Sequence, residues 1–299
     1  MVPGLPWMPV FLGVVAGTVA RLMLLRVDYR QYPTYPEAYL SHLAIGVLAA
    51  FTGAAVLPAL QEHQWTAATF LVLVGQQFTG VRDMERRYLS SIDRVELVPR
   101  GPAYIEGMAR AFEARNYVVM AVALLTSAVA LWGHNPFLAL VAGAAVGVAG
   151  FVVMQGKTVG DIARVRPGRI EFEGSLLEIE GVVLMDVGLR EAREKWRERG
   201  LAVVVEPVDE NARDTLASPG QRQAMVHDAA AILGVYIDVD SPEFTPLVRR
   251  DLRSGKVVLA AMLMEPDIGP LLEVVKRTPL LEASVRRPNS VRPGRRAAD

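Results

Sequence analysis

Between Asn116 and Gly156 the chain runs 41 residues without Asp, Glu, Lys or Arg. A bilayer explains such a run, because an ionised side chain at its centre costs roughly 2.5–3.5 kcal/mol. The run is interrupted at Trp132-Gly133-His134-Asn135-Pro136. Gly and Asn there accept unusual backbone angles and Pro stops a helix. The pattern predicts two spans, about Tyr117–Leu131 and Phe137–Gln155, joined by a tight hairpin. Three more charge-free stretches precede it: Met1–Ala20, Ala38–Gln61 with His42 as its titratable group, and His63–Val81. A spanning helix takes about 20 residues and tolerates about 17. Five spans are therefore expected.

Basic residues orient the spans. Lys and Arg collect on the cytoplasmic side of short loops. With the N-terminus outside, Arg21, Arg26 and Arg30 fall inside, as do the seven Arg of Val81–Arg115 and Lys157, Arg164, Arg166 and Arg169. The segments around Glu62 and Gly133 carry none. Removing the third span would put Arg82–Arg115 outside, against the rule. Residues 1–156 read as a five-helix transmembrane domain with a cytosolic helical loop at 82–115. The N-terminal stretch lacks the basic start of a cleavable signal peptide and is expected to stay as the first span. The cell membrane is the expected location, and the lipid bilayer the first partner.

Beyond Gly156 the pattern changes. Arg169–Glu173 and Leu177–Glu180 alternate apolar and acidic residues around Gly174-Ser175, as a β-hairpin does. Val182–Met185 and Leu201–Val205 read as buried strands, and Lys256–Met264 as a strand. Leu189–Arg199, Gln221–Leu233, Phe244–Arg253 and Ile268–Lys276 read as helices. Val235–Val239 and Leu280–Val285 suggest further strands. Residues 157–285 are thus expected to form a cytosolic mixed α/β domain, and 286–299 a disordered basic tail.

Formal net charge is zero, so no basic field points to nucleic acid. Cysteine is absent, which removes disulfides, thiol catalysis and thiolate-bound metals. Gly13-x-x-x-Gly17 and Gly143-x-x-x-Gly147 allow close helix packing. No Asp, Glu or Lys falls within a predicted span, and Arg21 is placed to snorkel to the inner interface.

Within the inner loop, Met84, Leu89, Ile92 and Leu97 suggest a helix with one apolar face, broken at Pro99-Arg100-Gly101-Pro102. The string Tyr104-Ile105-Glu106-Gly107-Met108-Ala109 follows. It resembles the YIEGIA family, with Met108 where the name has Ile. Asp28-Tyr29-Arg30-Gln31-Tyr32-Pro33, Gln76-Gln77-Phe78, Phe112-Glu113-Ala114-Arg115-Asn116-Tyr117 and Pro219-Gly220-Gln221-Arg222-Gln223 also resemble the family. The resemblance implies an integral membrane protein of endospore-forming bacteria. It brings no catalytic residues.

Candidate chemistry lies in three places. Asp83 and Asp161 flank predicted spans on the inner side, and two such carboxylates can share a proton as in aspartic proteases. Thr158-Val159-Gly160-Asp161 keeps the last two positions of an intramembrane aspartic signature; an exposed interfacial Asp is the plainer reading. Asp186 follows an apolar run, as a protease Asp does. Val187 lacks the hydroxyl that motif needs, and Asp186 also suits a helix cap. Asp238, Asp240 and Glu243, near His227 and Asp228, resemble a hard-metal cluster, yet Ser241-Pro242-Glu243 is a good helix start. No metal and no cofactor are expected. With Arg222, Arg249 and Arg250, the region that holds His227, Asp228, Asp238, Asp240 and Glu243 suits instead an anionic ligand or an acidic partner, and Tyr104, Glu106 and Gly107 join that candidate binding set. Phosphate-loop, nucleophile-elbow and zinc-protease motifs are absent from the sequence. Two functions are carried forward: a sporulation-linked membrane regulator that recruits a cytosolic protein, and an aspartic-type protease anchored in the membrane.

Overall fold

A computed structural model describes residues 6–28, 36–154, 156–236 and 244–285. The chain divides into two compact units. One comprises residues 1–88 and 108–156, the other residues 89–107 and 157–299.

The first unit is helical. It contains α1 (Trp7–Asp28), α2 (Pro36–Gln61), α3 (Trp65–Gln77), the start of α4 (Val81–Asp93), most of α5 (Pro102–Gly133) and α6 (Pro136–Met154). Segments of α1, α2 and α5 are long and apolar enough to cross a membrane, by length and composition. α5 has 32 residues, about 48 Å at 1.5 Å per residue. Its charges lie before Asn116, so its second half carries the apolar stretch. α6 is a shorter apolar helix. α3 has 13 residues, about 20 Å, and runs through a 3-10 turn (Phe78–Gly80) into α4.

The α5–α6 hairpin forms where Gly, Asn and Pro predict it. His134 takes a left-handed φ of 49°. The Asn135 side chain accepts from the amides of Phe137 and Leu138 at 3.0 and 3.1 Å. Asn135 is thus the cap and Pro136 the first helical residue, where its missing N–H costs nothing. The glycine pairs work by contact. A Cβ on Gly17 would stand 2.7 Å from the Ala50 Cβ, and one on Gly13 2.7 Å from the carbonyl oxygen of Ala123. One of the predicted interfacial groups is placed otherwise. Arg21 is fully buried rather than snorkelling, its stem lying against Gly46.

The second unit is α/β. β1 (Ala163–Gly168), β5 (Gly200–Pro207), β7 (Val257–Met262) and β6 (Leu247–Arg250) form an antiparallel sheet in the order β1-β5-β7-β6. β2 (Ile170–Glu173), β3 (Leu176–Ile179) and β4 (Val182–Asp186) form a meander, with Gly174-Ser175 at the first turn. Val203, Val205, Val257, Leu259 and Ala261 share one face of the larger sheet. They pack with α8 (Glu210–Leu216), α9 (Pro219–Leu233) and α10 (Ile268–Arg277). The alternate residues Ala202, Val204, Val258, Ala260 and Met262 pack on the other face. There they meet the meander and Trp196 of α7 (Arg190–Arg199). β7 is buried at every position, as a strand covered on both faces must be.

Two expectations are corrected. Phe244–Arg253 is not a helix: Leu247–Arg250 is β6, paired with β7. Pro246 explains this, because it cannot sit inside a helix and it pushes its predecessor to extended angles. Leu280–Val285 forms a turn rather than a strand, with the amides of Ser284 and Val285 returning to the Leu281 carbonyl. Most of the predicted strand at Val235–Val239 lies outside the described residues; Val235 itself makes a single bridge to Leu263. The predicted tail, 286–299, also lies outside them.

Candidate functional site

The segment 89–107 belongs to the α/β unit, and α9 receives it. After α4 ends, the chain turns through residues 94–101. The Asp93 carboxylate closes that turn, accepting from the amides of Arg100 at 2.6 Å and Gly101 at 3.1 Å. Gly101 needs its freedom here, with φ of 77°. Arg100 is buried and donates to Glu96 at 2.6 Å. Pro102 then starts α5 at a position where its missing donor is harmless.

One stripe of α9 meets this turn. Gly220, Gln223 and His227 lie three to four residues apart, on one helical face. A Cβ on Gly220 would approach the Ala103 carbonyl oxygen to 2.9 Å, so only glycine lets the two helix starts come this close. The Gln223 amide donates to the Pro99 carbonyl at 2.5 Å. His227 Nδ1 lies 2.8 Å from the Val98 carbonyl oxygen, so that nitrogen carries the proton. The Tyr104 ring meets His227 edge-on at 6.1 Å. Val98 itself enters the core under α9. Gln221 grips the neighbouring turn with both ends of its amide. It donates to the Pro279 carbonyl at 3.1 Å and accepts from the Leu281 amide at 2.8 Å. Leu281 lies in turn against the Gly107 and Gly220 positions. Residues 103–107, which take in the first part of the string at 104–109, and the string at 219–223, far apart in sequence, are therefore one contact in the fold.

Beside it opens a groove of about 260 Å³, lined by Glu96, Leu97, Val98, His227, Gly234 and Val235 among others. Of its lining residues Leu97 is 77% exposed, and Val95 and Ile232, next in sequence to the lining residues Glu96 and Ala231, are 84% and 66% exposed. Burial pushes the His227 pKa down; the bond to the Val98 carbonyl pulls it up, Arg100 pushes it further down, and Glu96 and Asp93 oppose that. Burial pushes Asp228 up to about 6, against the pull of the Thr278 hydroxyl and the Arg100 charge. Burial thus favours the uncharged form of both His227 and Asp228.

The other predicted residues scatter. Asp83 lies in the first turn of α4, exposed, in an ion pair with Arg86 at 3.1 Å. Asp161 is exposed. It accepts from the Thr158 amide at 2.7 Å and hydroxyl at 3.0 Å, which hold its pKa below the usual carboxylate value. Asp186 is exposed at the end of β4. The α7 cap position is Leu189, so Asp186 does not cap that helix. Glu106 is half-buried one turn before Arg110 on α5. Arg249 donates to the Val183 carbonyl, on the meander side of β6. Arg250 alternates to the other side, toward α9. Asp238, Asp240 and Glu243 lie outside the described residues. Among those described, no group of three His, Asp or Glu is placed to hold a metal ion.

Sequence reasoning missed a second cluster, inside the helical unit. Arg21 of α1, His42 of α2, Glu85 of α4 and Phe112 of α5 are all buried. His42 Nε2 lies 3.5 Å from Glu85, the His42 ring 4.4 Å from the Phe112 ring, and the Arg21 guanidinium 4.9 Å from it. Glu85 reads in sequence as part of a solvated charge run. Its tell-tale is Leu89, one helical turn on and equally buried.

The profile of a family described as "YIEGIA protein" matches residues 9–291. A Bacillus subtilis (strain 168) protein, named "Uncharacterized protein YphB", is 38% identical over 284 residues, covering 94% of each chain. No solved structure matches.

Proposed function

The chain belongs to the YIEGIA family, and we propose that it is a multi-pass membrane protein whose α/β unit recruits a protein partner at the cytosolic face. Five spans with the N-terminus outside put every basic loop on that face. The third span is then α3 with the turn that follows it, and the fifth is α6. The family resemblance suggests sporulation as the setting. One observation carries the recruitment reading. The turn at 94–101 is locked to α9 by Gln223 and His227, yet it holds Val95 and Leu97 out of the core beside a groove. Large apolar side chains fixed in the open around a concave surface favour a protein contact. Because α5 starts from the same turn, a partner bound there acts on the base of a span. The protease reading has less support, since Asp83, Asp161 and Asp186 are exposed and two of them serve local structure.

The test is a photo-crosslinking residue at Leu97 in cells entering sporulation. A single discrete adduct is expected, lost when Ile232→Asp is added and retained when Arg190→Asp is added. A ladder of unrelated adducts, or one indifferent to Ile232→Asp, contradicts the reading.

A further inference from the structure

Arg222 and Arg250 lie on two packed elements and do not line the groove. Arg222 stands near the start of α9, and Arg250 ends β6, the edge strand packed beside that helix. Val248 packs into the helix-covered core, so Arg250, two residues on, faces the same side. Arg249 faces the meander and is not part of the pair.

Among the described residues, neither guanidinium meets a carboxylate. Arg222 donates to main-chain carbonyls, of Ala217 at 2.7 Å and Leu216 at 3.5 Å, which fixes its plane over the end of α8. The Arg250 guanidinium has no hydrogen-bond or ion-pair partner among the described residues, and its Nε is buried. Two described acids close in sequence to these elements have partners of their own. Asp251 accepts from Ser254 and from the Arg253 amide, and Glu210 pairs with Arg213 at 3.4 Å. Burial first and the Arg250 charge second push the Arg222 pKa below its ordinary value.

Two like charges, half-buried and in range of each other, oppose folding unless something lies between them. A planar guanidinium presents parallel N–H donors that match the oxygens of a tetrahedral anion. We propose that Arg222 and Arg250 bind a phosphate-type oxyanion, either free phosphate or the phosphate of a small monoester. This does not depend on the recruitment reading: the groove can fail its test and the arginine pair still hold.

The experiment uses the full chain in a neutral detergent. Calorimetric titration is run with inorganic phosphate, with glycerol phosphate and with chloride as control, alongside thermal unfolding. Saturable binding of phosphate, and not of chloride, is expected. Arg250→Gln should weaken it at least tenfold and Arg249→Gln should leave it unchanged. Equal affinity for glycerol phosphate marks a monoester site; phosphate alone marks a free-anion site. Arg222→Gln also loses its carbonyl bonds, so Arg222→Lys, which keeps the charge, serves as its control and should retain partial binding. In phosphate-free buffer, Arg250→Gln should melt no lower than the parent, because it relieves repulsion; with phosphate the order should reverse. No saturable binding at tens of millimolar phosphate, or equal loss in Arg249→Gln, overturns the proposal. So does an Arg250→Gln protein that melts lower in both buffers.

Discussion

Replacing Asp228 by Asn should make the protein more stable at neutral pH, by an amount the structure sets. In the fold the Asp228 pKa stands at about 6, against an ordinary 3.8, because burial penalises its charge. The folded state therefore holds the proton longer than the unfolded chain does. Below the ordinary value both states are protonated and nothing is lost. Between about pH 4 and 6 the unfolded chain ionises first, so stability falls as pH rises, and above that the loss is complete. At about 1.36 kcal/mol per pH unit, the rise from 3.8 to about 6 amounts to about 3 kcal/mol as an upper figure. Asn keeps the size and the acceptor for Thr278 but carries no charge to desolvate. Thermal unfolding of the full chain, followed by Trp fluorescence with Trp196 buried in the α/β unit, measures it. The Asn variant should melt higher at pH 7.5, by about 2–4 °C per kcal/mol, and level with the parent at pH 4. If Asn is destabilising at pH 7.5 and harmless at pH 4, the carboxylate is ionised and held by Arg100, and this electrostatic reasoning is wrong.

Other outcomes follow from named contacts. His227→Leu should lose the Val98 bond and cost roughly 1–3 kcal/mol, and it should also abolish the destabilisation expected as pH falls through the imidazole range, which pH-dependent melting would detect. Gly220→Val drives a side chain into the Ala103 carbonyl and should cost about 1–3 kcal/mol, read as a lower melting temperature and protease nicking at 94–101. Glu85→Leu leaves His42 buried without its carboxylate; breaking such a buried pair costs about 3–5 kcal/mol, seen as reduced yield of folded protein from membranes. Asp83→Asn and Asp186→Asn should keep wild-type function in the cell at unchanged protein level; loss of function in either would revive the aspartic-protease reading.

Local signals were well written in the sequence and long-range ones were not. Asn135-Pro136 announces its turn because cap and helix start are neighbours. Gly174-Ser175 does the same for β2 and β3. β1 went unread because Arg164, Arg166 and Pro167 mask its alternation, and it becomes a strand only by pairing with β5. β6 was mistaken because a short charged run fits helix and strand alike; Pro246 was the usable clue. The site was half legible. His227, Asp228 and the strings at 104–109 and 219–223 could be named, but nothing local says that Gly220 exists to admit Ala103. Buried Glu85 and the separation of Arg249 from Arg250 are likewise products of packing.

The central claim, a cytosolic α/β unit on a multi-pass membrane anchor, is open to a direct test because the chain has no cysteine. Single cysteines are introduced at Trp132, in the α5–α6 hairpin, at Val95 and at Glu173, all exposed. Intact cells are treated with a membrane-impermeant maleimide and then permeabilised. Trp132→Cys should label in intact cells, whereas Val95→Cys and Glu173→Cys should label only after permeabilisation. Labelling of Glu173→Cys in intact cells, or recovery of all three variants in the soluble fraction, would contradict the account.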